Sequence, residues 1–296
     1  MITIPKNYIH FAFDPHVVPC ATAYSGDIVS FSCQDCYSEQ IVSDGIAFSQ
    51  VDMKRNNPAT GPLYVNDAAP GDILRVEILD IALGEDGCMT AREGVGTYEI
   101  HGTHCRRFPL KDGSILFDRG IRIPLKPMVG VVGTAPAKGT ASTQVPGRHG
   151  GNLDIKDLGP GAFLYLPVDV EGALLSIGDI HAVQGDGETV ICALETSGVV
   201  RVKINVLKGR NDIPLPFIVT PDRYLSVAVD PSLDICSVQA ARTMHRFLMN
   251  HSGLRAEQCG MLLSLAGNLR ISQIVNPSKG CVMEFPRFLI GERFEL

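Results

Sequence analysis

One eleven-residue stretch of the sequence concentrates side chains that can do acid–base or metal chemistry. Residues 178–188 read GDIHAVQGDGE and stand directly before an apolar run. On a β-strand, Asp179 and His181 point to the same face, because alternate side chains share a face. Imidazole and carboxylate together suit Zn²⁺, Fe²⁺ or Mn²⁺, whereas carboxylates alone suit Ca²⁺. A turn at GDG brings Asp186 and Glu188 to the same rim, although a simple acidic, glycine-rich turn explains the stretch as well.

A second polar cluster precedes the first along the chain. Residues 146–154 read PGRHGGNLD and offer His149, Asn152 and Asp154. The glycines allow positive φ and a close approach of the backbone. A lone HGG turn is ordinarily a loop. Two clusters that each carry histidine and aspartate beside glycines favour one shared, metal-centred hydrolytic site.

Three further stretches are weaker candidates. Residues 31–41 (FSCQDCYSEQI) place Asp35, a possible carboxylate ligand, between two cysteines, but no second C-x-x-C exists to complete a four-thiolate zinc site. Residues 129–139 (VGVVGTAPAKG) lack the P-loop and dinucleotide patterns. They predict a tight wall around Gly133 whose backbone N–H groups can bind an oxyanion. The histidines of HGTHC (101–105) form a weak alternative pair.

Short alternating strands position these clusters. Residues 71–83 (GDILRVEILDIAL) alternate apolar and charged side chains, which predicts a half-buried strand. Further strands are predicted at 27–33, 174–183, 189–195 and 200–207. Glycine and proline turn signals between short strands are typical of a β-sandwich or jelly roll.

The pattern changes after residue 210. Residues 231–253 and 255–268 predict two helices, and 269–276 a strand. We therefore predict a mainly β fold with a smaller α/β part. A β-sandwich or jelly-roll-like domain over residues 1–210 carries the site, and a smaller α/β domain over 211–296 packs its last strand back on the core.

The composition excludes several classes of protein. The chain has 296 residues and a formal net charge of −6 without a basic block, which argues against a nucleic-acid partner. It has no apolar run of about 18 residues, so we expect no membrane span. Its start lacks the basic and apolar regions of a secretory signal. Nine scattered cysteines do not form a disulfide framework, so we expect a cytoplasmic protein with reduced thiols.

The sequence resembles the acetamidase/formamidase family. The resemblance lies in residues 57–81, 127–136 (PMVGVVGTAP), 146–158 (PGRHGGNLDIKDL), 164–188 and 272–277 (SQIVNP). It implies hydrolysis of short aliphatic amides, such as formamide or acetamide, to a carboxylate and ammonia. It also implies a β-sandwich core with a smaller α/β part, a divalent metal, and a homodimer or higher homo-oligomer.

The resemblance also implies a set of site residues. The expected metal ligands are Asp35, His149, Asp154, Asp179 and His181. Proton transfer is assigned to Glu188 or Asp186, and substrate contacts to Asn152, Gln184 and Gly133. The expected metal is Zn²⁺, with Ca²⁺, Fe²⁺ or Mn²⁺ as alternatives.

The implied mechanism uses a metal-activated water. A bound cation lowers the pKa of water from about 16 towards 7, and the resulting hydroxide attacks the amide carbonyl. Glu188 or Asp186 takes the proton and returns it to release ammonia. The alternatives are a metal-binding hydrolase of another C–N bond, a β-sandwich binding protein without turnover, and a thiol amidase that uses Cys36 or Cys105.

Overall fold

Two large β-sheets and two helices make up the molecule. The computed structural model describes residues 2–290. The helices are α1 (Leu233–His251) and α2 (Ala256–Ala266). The strands are β1 (Ile2–Ile4), β2 (Ile9–His10), β3 (Ala12–Phe13), β4 (Ala21–Ala23), β5 (Ile28–Cys33), β6 (Ala59–Val65), β7 (Ile73–Leu83), β8 (Asp86–Arg92), β9 (Thr103–Pro109), β10 (Ser114–Leu116), β11 (Arg122–Pro124), β12 (Met128–Gly133), β13 (Ala141–Ser142), β14 (Gly150–Asn152), β15 (Phe163–Pro167), β16 (Leu175–Val183), β17 (Leu194–Thr196), β18 (Gly198–Leu207), β19 (Phe217–Val219), β20 (Arg223–Asp230), β21 (Asn268–Gln273) and β22 (Lys279–Pro286).

Eighteen of the strands form two nine-stranded sheets, and the other four form two-stranded sheets, β10 with β11 and β13 with β3. Sheet A runs β1-β5-β18-β7-β15-β19-β20-β22-β21. Sheet B runs β14-β12-β16-β17-β8-β9, and β6, which also pairs with β16, carries β2 and β4. Most neighbours are antiparallel, while β1 with β5 and β4 with β6 are parallel. The predicted mainly β fold with a smaller α/β part is confirmed.

Side-chain alternation along the strands builds one apolar core between the sheets and another beneath the helices. In β15, Leu164 and Leu166 belong to the core that both sheets share, whereas Tyr165 joins the cluster formed with α1. In β22, Val282 enters the first core and Phe285 the second. Because successive side chains point to opposite faces, sheet A can bury both of its faces.

The predicted helices form where the sequence places them. Ser232 caps α1 by accepting a hydrogen bond from the backbone N–H of Ile235. Met244, Phe247 and Leu248 of α1 are fully buried against sheet A. The strands β19 to β22 extend sheet A, so the part after residue 211 shares a sheet with the part before it. The domain division at residue 210 stays a prediction.

One strand prediction is wrong at its start. The strand expected over 189–195 begins only at Leu194. The carbonyl of Thr189 accepts a hydrogen bond from the backbone N–H of Thr97, and Ile191 has a φ of 104°, so this backbone does not join the sheet ladder. Glu188 therefore lies on a loop between β16 and β17.

Candidate active site

Strand β16 carries two ionisable side chains through the middle of sheet B. It pairs with β12, β17 and β6, so Asp179 and His181 lie deep in the sheet. They are 3% and 1% exposed. Glu195 of β17 lies directly opposite His181 in the antiparallel register and is also buried. The strand pairing brings imidazole and carboxylates together.

The imidazole of His181 is held in one orientation. Its Nδ1 lies 2.8 Å from Gln184 Oε1, and Gln184 Nε2 donates to the carbonyl oxygen of Asp154 at 2.8 Å. Because the amide oxygen can only accept, Nδ1 is the donor. Nε2 then faces Asp179 Oδ1 at 3.3 Å and Glu195 Oε2 at 3.2 Å. Because Nδ1 is occupied by this orienting bond, Nε2 is the nitrogen of His181 that can coordinate a metal ion.

Two loops complete the site. Asp154 follows β14, and its Oδ2 accepts a hydrogen bond from Asn276 Nδ2 at 2.8 Å. Glu188 follows β16. One potential ligand atom from each of Asp154, His181 and Glu188 lies within 4.8 Å of the other two. We refer to Asp154, Asp179, His181, Glu188 and Glu195 as the carboxylate–histidine cluster.

The cluster contains more buried acceptor atoms than it has donors for within residues 2–290. Asp154 Oδ1 and Glu188 Oε2 have no hydrogen-bond partner, which costs about 1–3 kcal/mol for each buried atom. Asp179 Oδ1 and Glu195 Oε2 share a single donor, His181 Nε2, at 3.3 and 3.2 Å. Because these are all atoms that can ligate a metal, the cluster can hold a cation.

The backbone at the cluster is unusual. Asp154, Asp179 and Glu188 have φ values of 47°, 56° and 47°, in the left-handed region that non-glycine residues seldom adopt. Gly130 of β12 lies opposite Asp179, where a Cβ would stand 2.4 Å from Asp179 Oδ2 and 2.7 Å from Asp154 Oδ1. Only glycine leaves room there for both carboxylates. Strained backbone of this kind is common at functional sites.

The electrostatics show an excess of negative charge. Burial alone would lower the pKa of His181, but Glu195 and Asp179 raise it well above its ordinary value. Burial and the charge of Asp179 raise the pKa of Asp154 to about 8, and burial raises that of Glu195 to about 7. Burial and the charge of Asp154 raise the pKa of Glu188 well above normal. Burial opposes ionisation of Asp179 too, yet His181 holds its pKa below the ordinary value.

A small polar cavity opens onto this cluster. Its volume is about 130 Å³. It is lined by Cys36, Tyr37, Met53, Asn56, Asn57, Arg92, Gln144, Asn152, Asp179, Glu188, Ile191, Cys192, Glu195 and Asn276. A larger cleft of about 590 Å³ contains Lys156, Asp157 and Arg270 but no member of the cluster.

The structure brings some of the expected site residues together and leaves others apart. Asp154, Asp179, His181 and Glu188 converge, and Gln184 contacts His181. Asn152 lines the cavity and accepts a hydrogen bond from Asn57 Nδ2 at 3.0 Å. Neither group of candidate metal donors in the described chain contains Asp35, His149 or Asp186.

Two of the expected acids are engaged elsewhere. Asp35 Oδ1 accepts hydrogen bonds from the backbone N–H groups of Tyr37 and Glu39, as an acid does at a tight turn. Asp186 forms ion pairs with Lys156 at 2.6 Å and Arg270 at 2.8 Å. Both carboxylates therefore have local partners that direct them away from the cluster.

His149 and Gly133 pack against the same ring, that of Phe13. The ring centroids of His149 and Phe13 are 5.1 Å apart, and burial lowers the pKa of His149 to about 4. A Cβ at Gly133 would stand 2.9 Å from the Phe13 ring and 2.8 Å from the backbone nitrogen of Gly151. Gly133 also pairs with strands on both sides, which suits close packing.

Glu195, Gly130 and Asn276 belong to the candidate site but are not among the expected site residues, and Cys36 is expected there only as the nucleophile of a thiol amidase. Glu195 is a lone carboxylate at the end of the apolar run TVICALE, and a hairpin register from β16 would have found it. Gly130 is a glycine inside an apolar strand, which signals a close approach. Asn276 offers no comparable signal, because it comes from a distant loop.

Comparison with known proteins assigns the chain to a family. A model of the acetamidase/formamidase family matches residues 3–143 and 137–288. The chain belongs to the acetamidase/formamidase family. This family member is an amidase-type hydrolase. Within residues 2–290 it has no helix that combines the length and apolar character needed to cross a membrane.

Three relatives illustrate the similarity of this family member. The acetamidase from Bacillus halodurans is 44% identical with a TM-score of 0.94, covering 96% of this chain and 97% of that one. A predicted acetamidase/formamidase from Thermoanaerobacter tengcongensis is 36% identical with a TM-score of 0.93, covering 96% and 95%. The formamidase from Methylophilus methylotrophus is 26% identical over 281 residues, which span 72% of this chain and 69% of the relative.

Proposed function

We propose that this protein hydrolyses short aliphatic amides to a carboxylate and ammonia, with a divalent cation held by the carboxylate–histidine cluster. The observation that carries the proposal is the convergence of four buried carboxylates on one imidazole, with Asp154 Oδ1 and Glu188 Oε2 lacking any hydrogen-bond partner within residues 2–290. The cluster contains four carboxylates and a single imidazole. A divalent cation offsets this excess of negative charge, which burial makes costly.

The ligand atoms of the carboxylate–histidine cluster suit a divalent cation. Asp154, Asp179 and His181 would hold the cation, because their side chains converge from fixed positions on β16 and just after β14. Imidazole and carboxylates together suit Zn²⁺, Fe²⁺ or Mn²⁺ better than Ca²⁺. When bound, such a cation polarises a carbonyl and lowers the pKa of water.

Glu188 is proposed to carry the proton. It belongs to the cluster and also lines the cavity, so it can contact a small molecule bound there. Burial and the charge of Asp154 raise the pKa of Glu188, which favours a group that can hold a proton and give it back. Gln184 holds the imidazole of His181 in place. Asn152 and Asn276 line the cavity and offer hydrogen bonds to the amide group of a substrate.

The cavity supports a small substrate. Its volume of about 130 Å³ is well below the ~300–1,000 Å³ of pockets for drug-sized ligands. Formamide or acetamide suits such a space. Each methylene group that does not fit should cost about 1–3 kcal/mol of transition-state binding.

A thiol amidase is disfavoured by the environment of Cys36. Burial and the charges of Glu195 and Asp179 raise the pKa of its thiol well above normal, the opposite of what a cysteine nucleophile needs. Cys105 lies on β9 and does not line the cavity. We also propose a homo-oligomer and a cytoplasmic location, the latter supported by nine cysteines that are free of disulfides.

The test combines elemental analysis with an ammonia-release assay on formamide, acetamide and longer amides. We expect bound divalent metal, loss of activity on prolonged chelation, and recovery on adding the metal back. We expect kcat/KM to fall from acetamide to hexanamide. Full activity in protein shown to be metal-free would refute the proposed role of the cation. A kcat/KM that rises from acetamide to hexanamide would refute the proposed preference for short amides.

A further inference from the structure

A second group of possible ligand atoms adjoins the first. One such atom from each of Cys36, Asp179 and Glu195 lies within 4.8 Å of the other two. The three residues are 7%, 3% and 1% exposed. All three also line the cavity, whereas Asp154 and His181 do not. This thiol-containing triad therefore lies nearer to the substrate space than the imidazole does.

We propose that Cys36, Asp179 and Glu195 form a second cation site, which shares Asp179 with the first. This inference rests on the proposed function, because it adds a neighbour to the cation proposed there. A thiolate with carboxylates suits Zn²⁺ or another borderline-soft divalent ion and disfavours Ca²⁺ and Mg²⁺. The pair would be a two-cation centre of the kind found in other hydrolases.

The two carboxylates of the triad support this site independently of the thiol. Among residues 2–290, Asp179 Oδ1 and Glu195 Oε2 are buried and share one donor, His181 Nε2, at 3.3 and 3.2 Å. The other oxygen of Glu195 accepts a hydrogen bond from the backbone N–H of Ala193 at 3.0 Å. That bond anchors the carboxylate and leaves Oε2 directed at the cluster. One imidazole nitrogen carries at most one proton, so it cannot donate fully to both oxygens, and a cation between them would satisfy the deficit.

Cys36 differs from the other buried cysteines around the cluster. The Sγ of Cys33 donates to the carbonyl oxygen of Ile177 at 3.4 Å, and the Sγ of Cys192 donates to that of Thr90 at 3.4 Å. Those two thiols are satisfied by backbone. In the part of the chain that the structure describes, Cys36 Sγ makes no such bond.

The turn that follows β5 holds Cys36 in place. Asp35 accepts hydrogen bonds from the backbone N–H groups of Tyr37 and Glu39, and Asn57 donates its backbone N–H to the carbonyl oxygen of Cys36 at 2.6 Å. These bonds fix the backbone on both sides of the thiol. The acid expected to bind metal, Asp35, instead positions a neighbouring ligand.

The test is a cation titration of the full-length protein after chelation. Zn²⁺ is counted by elemental analysis, and Co²⁺ is followed by its thiolate charge-transfer absorption. We expect about two cations per chain in the wild type, as in two-metal sites. Cys36→Ser should leave about one cation and abolish the thiolate band, with affinity for the second ion reduced at least about hundredfold.

Cys192→Ser is the matched control, because Cys192 is buried and lines the same cavity but is not part of the triad. It should keep both cations and the band. Glu195→Gln, which preserves side-chain size, should weaken the second ion as Cys36→Ser does, so a folding failure of one variant leaves the test intact.

The outcomes separate the two proposals. One cation per chain without a thiolate band overturns the second site and leaves the first. A band that survives Cys36→Ser also overturns it. Protein that binds no divalent cation overturns both proposals together.

Discussion

Two acidic residues that are neighbours in sequence have opposite environments. Asp186 forms ion pairs with Lys156 and Arg270 at the surface. Glu188 is 8% exposed, and its Oε2 has no hydrogen-bond partner within residues 2–290. Arg270 also pairs with Asp157 at 2.5 Å and Glu284 at 2.9 Å. We refer to Arg270 and its three acidic partners as the arginine network.

The contrast separates acids that the chain itself neutralises from acids that it does not. In the arginine network, Arg270 is shared by three carboxylates. Lys156 also pairs with Asp186, and Arg223 with Glu284, so three permanent cations of the chain balance the three acids. In the carboxylate–histidine cluster, four carboxylates face one imidazole and ligand atoms remain unpaired. Unbalanced buried charge is costly and persists where a ligand or a reaction uses it. The comparison predicts that changes in the two regions will separate cation binding from stability.

The largest effect is expected from His181→Ala. Removing this proposed ligand should lower cation affinity by at least about hundredfold and abolish activity with it, since affinity falls when a ligand or its support is lost. His104→Ala, which alters an exposed histidine of β9, is the control. Elemental analysis and ammonia release measure both effects. If His181→Ala keeps its metal content and its rate of ammonia release, the cluster is not the cation site.

The next largest effect is the difference in kcat between Glu188→Gln and Asp186→Asn. Glutamine cannot take a proton, so kcat should fall by roughly 10²–10⁴-fold while metal content stays near that of the wild type. Asp186→Asn should retain kcat and lower stability by up to about 1 kcal/mol, because it weakens partly exposed ion pairs. Loss of metal in Glu188→Gln would make Glu188 a ligand. A rate loss in Asp186→Asn alone would move the base to Asp186.

Gly130→Ala should disturb the cluster through space. The added methyl group would lie against Asp179 Oδ2 and Asp154 Oδ1, so we expect weaker cation binding and a stability loss of about 1–3 kcal/mol. Gly185→Ala is the control, because a Cβ there meets nothing within 4 Å. Titration calorimetry and thermal unfolding report the two quantities. If Gly130→Ala and Gly185→Ala have the same cation affinity and stability, the close approach of Gly130 to the two carboxylates is contradicted.

Arg270→Met should affect stability and not cation binding. It removes the shared cation of Asp157, Asp186 and Glu284, and charged hydrogen bonds contribute about 1.5–3 kcal/mol. Denaturant unfolding should show a loss of this order at unchanged metal content. If Arg270→Met instead loses metal without losing stability, the arginine network supports cation binding and the prediction is wrong.

The smallest effect is expected from Asp35→Asn. Asparagine keeps the oxygen that accepts from Tyr37 and Glu39, so stability should change by less than about 1 kcal/mol. The affinity of the first cation should not change. A large fall in that affinity would restore Asp35 as a ligand.

Local patterns predicted much of the fold and part of the site. Alternation over residues 71–83 and helical spacing over 231–253 are short-range signals, and both elements formed. The spacing of Asp179 and His181 placed them on one face of β16 for the same reason. The strand expected from Thr189 failed because a loop contact outweighed its apolar pattern.

The sequence by itself determined which side chains could ligate a cation and which strand would carry two of them. Only the tertiary structure decided which acids remain unpaired. Arg270 arrives from β21, 84 positions beyond Asp186, and satisfies that acid but not Glu188. The pairing of β16 with β17 brings Glu195 to His181, and a turn satisfies Asp35. The charge balance of a buried group depends on partners that are distant in sequence, so local spacing could not predict it.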